Sequence, residues 1–523
     1  MSLLRSAATV SSLTLASRIT GLARDIIIAR AFGASALTDA FWVAFRIPNL
    51  LRRLFAEGAF SQAFIPILGE VKQKSPDQAA VRQTIDRVAM ALFVALTVIT
   101  LIGVIGAPVV VLLMASGLLG PDRTQEYEAA IWMTRVMFPY IICMSLVSFA
   151  SGVLNTWKRF AVPAITPVLL NLSMIGSSLL LSGYFAQPIY ALAVGVMIGG
   201  LAQLAVQWWA LSRLGLRPRS SAPIRQSFAD PIVKRVMRQM LPATLGVSVA
   251  QISLLINTNI ATWLTPGSVT WLSFADRLME FPTALIGVAL GTVLLPSLSK
   301  AHAQGSSTAY SQLLDWGMRL VLLLGLPAAL SMILLADAMV ATLFQYGAFT
   351  AYDVQQTQWA VMAYSVGLIG LLMVKILAPG FYGKQDIKTP VKIAIVVLIM
   401  TQLFNLVLVP TLAHAGLALA IALGACVNAS ALFIGLRRRK VYVASPGWLS
   451  LLVKLLVALA VMGAILWVIA SGIQWTSGTL GIWARVGWLG LTMTVGFGGY
   501  VAVLVLLGMR PSDFRRQPLA KTD

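Results

Sequence analysis

The stretch FRIPNLLRRLFAEGAF, residues 45–60, sets Arg46, Arg52, Arg53 and Glu57 inside an apolar run, with Pro48 and Gly58 able to interrupt a helix. Three cations and an anion in such a run raise the question of what solvent surrounds it. The chain is 58% hydrophobic and only 11% charged over 523 residues, with a mean hydropathy of +0.85, whereas soluble domains carry about 25% charged residues. A hydrocarbon core about 30 Å thick takes roughly 20 apolar residues per helix, and runs of that length recur from end to end. The chain therefore reads as an all-α polytopic membrane protein with no segment left over for a soluble domain.

Spans are expected near 8–31, 38–69, 88–114, 128–155, 161–183, 189–212, 240–263, 268–298, 314–336, 356–381, 390–411, 415–436, 448–472 and 483–508, about fourteen in all. The loops between them test this count. One set is basic: Lys72, Lys74, Arg82 and Arg87; Lys158 and Arg159; a run from Arg213 to Arg238; Lys300; Lys384 and Lys388; Arg437 to Lys440; and the tail. The intervening loops are acidic or nearly neutral. This alternation follows the positive-inside rule and puts both termini in the cytoplasm. It also accounts for the net charge of +21 without nucleic acid. The N-terminus shows no clear cleavage site and is expected to stay as the first helix. Cys143 and Cys426 lie in apolar runs and read as core thiols.

A repeat appears at an offset of roughly 225–231 residues. AFRIPNLL through AFIPIL aligns with FADRLMEF through VLLPSL, placing Arg46 opposite Arg277 and Pro66 opposite Pro296; Pro163 aligns likewise with Pro390. Each copy holds six spans, an even number, so both have the same orientation. Such repeats form two six-helix lobes related by a pseudo-twofold axis along the membrane normal, with substrate between them. The expected organisation is a lobe over 1–212, a basic cytoplasmic linker over 213–239, a second lobe over 240–440, and two additional helices with a basic tail over 441–523.

On the first helix Thr14, Ser17, Arg18, Gly21, Arg24 and Asp25 fall within an arc of roughly 120°. Arg at a span centre costs about 2.5–3.5 kcal/mol on insertion scales, so this face should meet water or a partner, not lipid. The alternative is a structural pair, Arg18 or Arg24 closed on Asp25 or Asp39. In the second helix Pro48 removes an N–H and crowds the preceding turn, predicting a kink beside Arg46 and Asn49. Arg52, Arg53 and Glu57 follow, either lining a cavity or snorkelling to the interface. In the second copy Asp276, Arg277 and Glu280 share a helical side before Pro282, and an internal Arg277–Glu280 pair is open to them. Lys375, within GLIGLLMVKILAPG, reads either as a gate with an acid such as Glu57 or as a snorkelling cation.

Guanidinium groups bind phosphate through paired donors and stay charged at every relevant pH. Clustered arginines with few acids therefore point to a phosphate or diphosphate on an amphiphile whose head crosses through protein. Two histidines, His302 and His414, and no metal-like spacing argue against catalysis or a metal site. The triplets Asn171-Leu-Ser173 and Asn428-Ala-Ser430 match a glycosylation acceptor but lie within spans.

The runs SRITGLARD, TDAFWVAFRIPNLLRRLFAEGAFSQAF, LNTWKRFAVPA, TWLSFADRLMEFP and LAPGFYGKQDIKTPVKIA resemble the MurJ (MviN) lipid II flippases of bacterial peptidoglycan synthesis. The resemblance covers essentially the whole chain. It implies the fold of the multidrug/oligosaccharidyl-lipid/polysaccharide exporter superfamily, in the bacterial cytoplasmic membrane, with the last two helices lining a groove for the lipid tail. It also implies a transporter, not an enzyme, that moves undecaprenyl-diphosphate-linked disaccharide-pentapeptide from the inner to the outer leaflet for cell-wall growth. The family's essential cavity charges fall on Arg18, Arg24, Asp39, Arg52 and Arg277. Ser17 and Asn49 join the arginines as expected substrate contacts, while Asp25, Asp39, Glu57, Glu280 and Lys375 are expected to orient or gate. The implied partners are lipid II, membrane lipids and other cell-wall synthesis proteins. No cofactor is expected, and ion or membrane-potential coupling is left open; Asn257, Asn259 and Asn405 stand where a sodium site would want carboxylates. The rivals are an exporter of drugs, or of another polyprenyl-linked saccharide, in the same superfamily, and an enzyme acting on polyprenyl phosphates.

Overall fold

The computed structural model describes residues 3–51, 60–74, 78–219 and 223–510, and all the regular structure among them is helical. Within a membrane each N–H and C=O must find its partner inside the chain, which the helix achieves locally. The chain forms two compact units, Met1–Thr270 and Trp271–Asp523.

The first unit contains α1 (Leu3–Phe32), α2 (Ala36–Leu51), α3 (Ser61–Lys74), α4 (Gln78–Ile105), α5 (Ala107–Met114), α6 (Thr124–Met137), α7 (Tyr140–Thr156), α8 (Ala161–Leu180), α9 (Tyr190–Arg213), α10 (Ile224–Ala229) and α11 (Pro231–Thr262). Phe60, Phe64, Ile67, Leu68, Phe149, Val153 and Leu211 fill the core where α3, α4, α7 and α9 meet. The rings of Phe64 and Phe149 pack at a tilt of 30° with centroids 5.1 Å apart. Small residues let α9 approach its neighbours, as between many membrane helices: a Cβ on Gly200 would come within 2.6 Å of the Tyr140 ring. The basic linker is docked, not free. α10 lies on α4, the Asp86 carboxylate accepts from the Arg219 N–H at 2.9 Å, and Asp230 takes the Arg87 guanidinium while capping α11 through the Ile232 N–H. α11, which the repeat assigns to the second lobe, makes contacts with α3, α4 and α5.

α12 (Ser268–Pro282) begins at the divide. It leads through a π-helical turn, Thr283–Val288, into α13 (Ala289–Ala303). The second unit continues with α14 (Ser307–Leu334), α15 (Ala336–Phe344), α16 (Ala351–Val366), α17 (Leu368–Tyr382), α18 (Lys388–Arg438), α19 (Trp448–Ser471) and α20 (Ile482–Leu506). The 51-residue α18 is two spans joined at Ala413, whose φ of 47° and ψ of −127° break the helix. Where Gly106, Gly367 and the Phe138-Pro139 step interrupt helices, the expected spans 88–114, 356–381 and 128–155 are each made of two pieces. Counting α18 as two, leaving out the six-residue α10, and taking α2–α3, α4–α5, α6–α7, α12–α13, α14–α15 and α16–α17 as one each, the elements among the described residues correspond to the fourteen expected spans. One expectation needs correcting: Cys143 is buried, but Cys426 is only half-buried, because its face of α18 is not fully covered.

Among the described residues, nine helical stretches are long and apolar enough to cross a membrane. The spans outside that set are α1, α2–α3, α11 and α12–α13, the first two of each repeat copy. The charges singled out from the sequence lie mostly on them.

Candidate functional site

The polar face of α1 divides along its length. Gly21, Arg24 and Asp25 are buried, Ser17 is half-buried, and Thr14 and Arg18 are exposed. Arg24 gives both Nε and Nη2 to Asp25 Oδ1, at 2.8 and 2.6 Å, and Nη1 to Asn171 Oδ1 on α8 at 3.2 Å. The Asn171 amide in turn donates to the Ser17 carbonyl and to Thr20 Oγ1, each at 3.1 Å. A buried charge is tolerable only when paired and hydrogen-bonded, and this network meets both conditions. Arg24 and Asp25 thus take the structural pairing that the sequence left open, while Arg18 makes no ion pair among the described residues.

Asp39 does something the sequence did not suggest. Its carboxylate accepts from the Gly267 N–H at 2.7 Å, from the Thr270 N–H at 2.8 Å and from Thr270 Oγ1 at 2.6 Å. It therefore caps α12 from another helix, where an anion meets unpaired N–H groups and the positive end of the dipole. Further along α2, Pro48 lies within the helix as expected. Arg46 donates to Thr258 Oγ1 on α11, and Asn49 is half-buried. Arg52, Arg53 and Glu57 fall outside the described residues.

In the second unit Arg277 and Glu280 pair at 2.7 Å, with side chains 29% and 43% exposed. This pair is partly open, in contrast to the sealed Arg24–Asp25 pair. Two residues on, Pro282 gives way to the π turn, a feature frequent at functional sites. Lys375 is exposed, and its stem passes over that turn: a Cβ on Gly287 would come within 3.2 Å of Lys375 Cγ. The structure thus joins Arg24 to Asp25 and Arg277 to Glu280, each within its own unit. Asn171, the brace between α1 and α8, was missed. Its signal was an amide inside a span, read only as an unreachable glycosylation triplet. No group of three His, Cys, Asp or Glu side chains converges among the described residues.

A sequence model of the family described as Lipid II flippase MurJ matches residues 28–483. The Lipid II flippase MurJ of Burkholderia cenocepacia is 50% identical over 517 residues, covering 99% of this chain and 100% of that protein. The probable lipid II flippase MurJ of Vibrio cholerae is 40% identical over 521 residues, 98% of each chain. Among solved structures, a lipid II flippase MurJ in an inward closed conformation superposes with a TM-score of 0.80 at 20% identity, covering 97% of this chain and 99% of that one. An inward-facing multidrug transporter of the MATE family and MOP superfamily gives 0.65 at 17% identity, covering 83% and 98%. At such identities the two superpositions speak for the fold alone. The 40–50% identities extend over nearly the whole length of the chain, and on that ground the protein is a member of the lipid II flippase MurJ family.

Proposed function

We propose that this protein moves lipid II, an undecaprenyl-diphosphate-linked disaccharide-pentapeptide, from the cytoplasmic to the periplasmic leaflet of the bacterial cytoplasmic membrane by alternating access. The single observation that carries this reading is the 50% identity to a lipid II flippase over 99% of the chain. The site chemistry supports it, since guanidinium groups are the natural partners of a diphosphate. Arg18 and Arg277, both at least partly open to solvent, hold the diphosphate together with Arg52, while Ser17 and Asn49 add hydrogen bonds. Arg24 joins them only when its pair with Asp25 parts; in the present conformation it braces α1 against α8. Glu280 keeps Arg277 in place until phosphate replaces it, and Glu57 and Lys375 act as gating charges.

With both termini in the cytoplasm, Asp39 and the start of α12 lie at the periplasmic end. The three hydrogen bonds of Asp39 then hold that end shut, and outward opening requires them to break. The lipid tail stays in the bilayer against α19 and α20, whose outer faces expose Leu449, Leu456, Trp467, Trp483 and Val505. The reaction is translocation and forms no covalent bond with the protein. A MOP-superfamily drug exporter, the second reading, is favoured by the MATE-like fold, but its cavity should present acids where this chain presents arginines.

The test is leaflet exposure of lipid II in cells after acute block of this protein. Accumulation on the cytoplasmic face supports the reading; unchanged exposure overturns it. Cationic-drug efflux by vesicles, without binding of the lipid diphosphate, would favour the exporter instead.

A further inference from the structure

Residues 263–267 connect α11 to α12, and the turn is gripped from two sides. On one side Asp39 covers the N-terminal amides of α12. On the other, Arg123, from the segment between α5 and α6, covers the last carbonyls of α11: Nη1 donates to the Thr262 oxygen at 2.7 Å and Nη2 to the Leu264 oxygen at 3.1 Å. An anion sits at the positive end of one helix and a cation at the negative end of the other, the favourable arrangement at both.

The segment carrying Arg123 fits closely against α11. The Gly117 N–H donates to Thr262 Oγ1 at 3.2 Å, Ser116 Oγ bonds Asn259 Oδ1 at 3.0 Å, Asn259 Nδ2 donates to the Leu113 carbonyl at 3.1 Å, and Trp263 Nε1 donates to Ser116 Oγ at 3.1 Å. Residue 117 has no room for a side chain, since a Cβ there would stand 2.4 Å from the backbone carbon and oxygen of Thr262. All four bonds join residues 113–117 to residues 259–263, and two of them engage a backbone group.

The geometry points to Arg123 as a positioning residue of the transport cycle. With Gly117 it forms the second jaw of the periplasmic gate, and its grip on the carbonyl end of α11 sets how much of the time that gate is shut. Arg123 reaches no substrate; it acts through the turn that Asp39 also holds. The inference rests on the gating reading of Asp39.

The experiment uses the full-length protein with Cys143→Ala, Cys426→Ala and Ser268→Cys. Ser268, the first residue of α12, is fully buried in the closed form, so labelling by a membrane-impermeant maleimide reports opening of the turn. Arg123→Ala is expected to speed labelling about tenfold, the effect of losing charge-assisted hydrogen bonds from one side of a two-state equilibrium, and Gly117→Ala, whose Cβ would meet the Thr262 carbonyl, should speed it as well. Arg123→Lys, which keeps the charge but not the fork, should fall between Arg123→Ala and the parent. If Arg123→Ala lowers the melting temperature but leaves the labelling rate unchanged, Arg123 is a strut and the inference is overturned. Asp39→Asn separates the two readings. Faster labelling with Asp39→Asn but not with Arg123→Ala overturns the second jaw alone. No response to Asp39→Asn, and none of the parent to added lipid II, overturns the gating reading with it.

Discussion

α1 and α19 are both long enough to cross a membrane, yet they hold the fold by opposite means. α19 buries Leu451, Leu455, Ala458, Met462 and Leu466 along one stripe and leaves Leu449, Val453, Leu456, Val461 and Trp467 exposed. Any apolar surface of similar shape satisfies such a helix, because lipid and protein are alike to a leucine. α1 buries Arg24 and Asp25, and their partner Asn171 must stand at one place on α8. One helix is free to meet a varied lipid; the other is fixed in position by directional bonds and presents Arg18 beyond them. Polar burial here specifies geometry, and apolar exposure specifies an interface.

The strongest way to break this contrast is Asp25→Ala, which strands the buried Arg24 guanidinium. A loss of about 3–5 kcal/mol is expected, read as a large fall in melting temperature and in membrane yield; an unchanged melt would mean that Arg24 finds another acceptor. Leu466→Ala on the apolar helix should cost less than its soluble-core equivalent of about 2–5 kcal/mol, since lipid can fill part of the gap, and it should leave headgroup binding unchanged. Asn171→Ala should cost about 1–3 kcal/mol and loosen α1 against α8, seen as faster hydrogen exchange near residues 17–24. Arg277→Ala is predicted to change the melt by no more than about 1 kcal/mol, because its pair with Glu280 is partly exposed, while abolishing support of cell-wall growth. A loss of fold instead of function would make Arg277 a second Arg24.

The smallest effect lies outside the membrane. Asp386, on the loop before α18, has its pKa pulled from 3.8 to about 2, chiefly by hydrogen bonds from Thr389, with the Arg439 guanidinium adding to them. A folded-state pKa below the unfolded one contributes stability that is fully present above about pH 4 and is lost as pH falls towards 2. Asp386→Asn should therefore flatten the melting curve's pH dependence in that window only, and leave it unchanged at neutral pH.

Most of the fold was legible because lipid imposes a strict rule. Spans must be apolar and about 20 residues long, and basic loops must alternate, so counting runs and charges recovered fourteen spans. Pro48 is accommodated inside α2, and the π turn begins directly after Pro282. The site was less legible. Arg277–Glu280, three residues apart, was open to prediction from helical spacing, whereas Arg24–Asn171 joins residues 147 positions apart and left no local trace. Arg123 left no signal in the sequence, since its acceptors are backbone carbonyls, which every residue carries.

The sequence by itself determined that this chain lives in a bilayer and crosses it many times, because that property depends on composition and on the length of its apolar runs alone. Only the tertiary structure decided which charges are sealed in pairs and which meet solvent, and that Asp39 and Arg123 grip the same turn. The reason is physical: a hydrogen bond depends on positions in space to within a few tenths of an ångström, and distant segments acquire those positions only when the helices have packed.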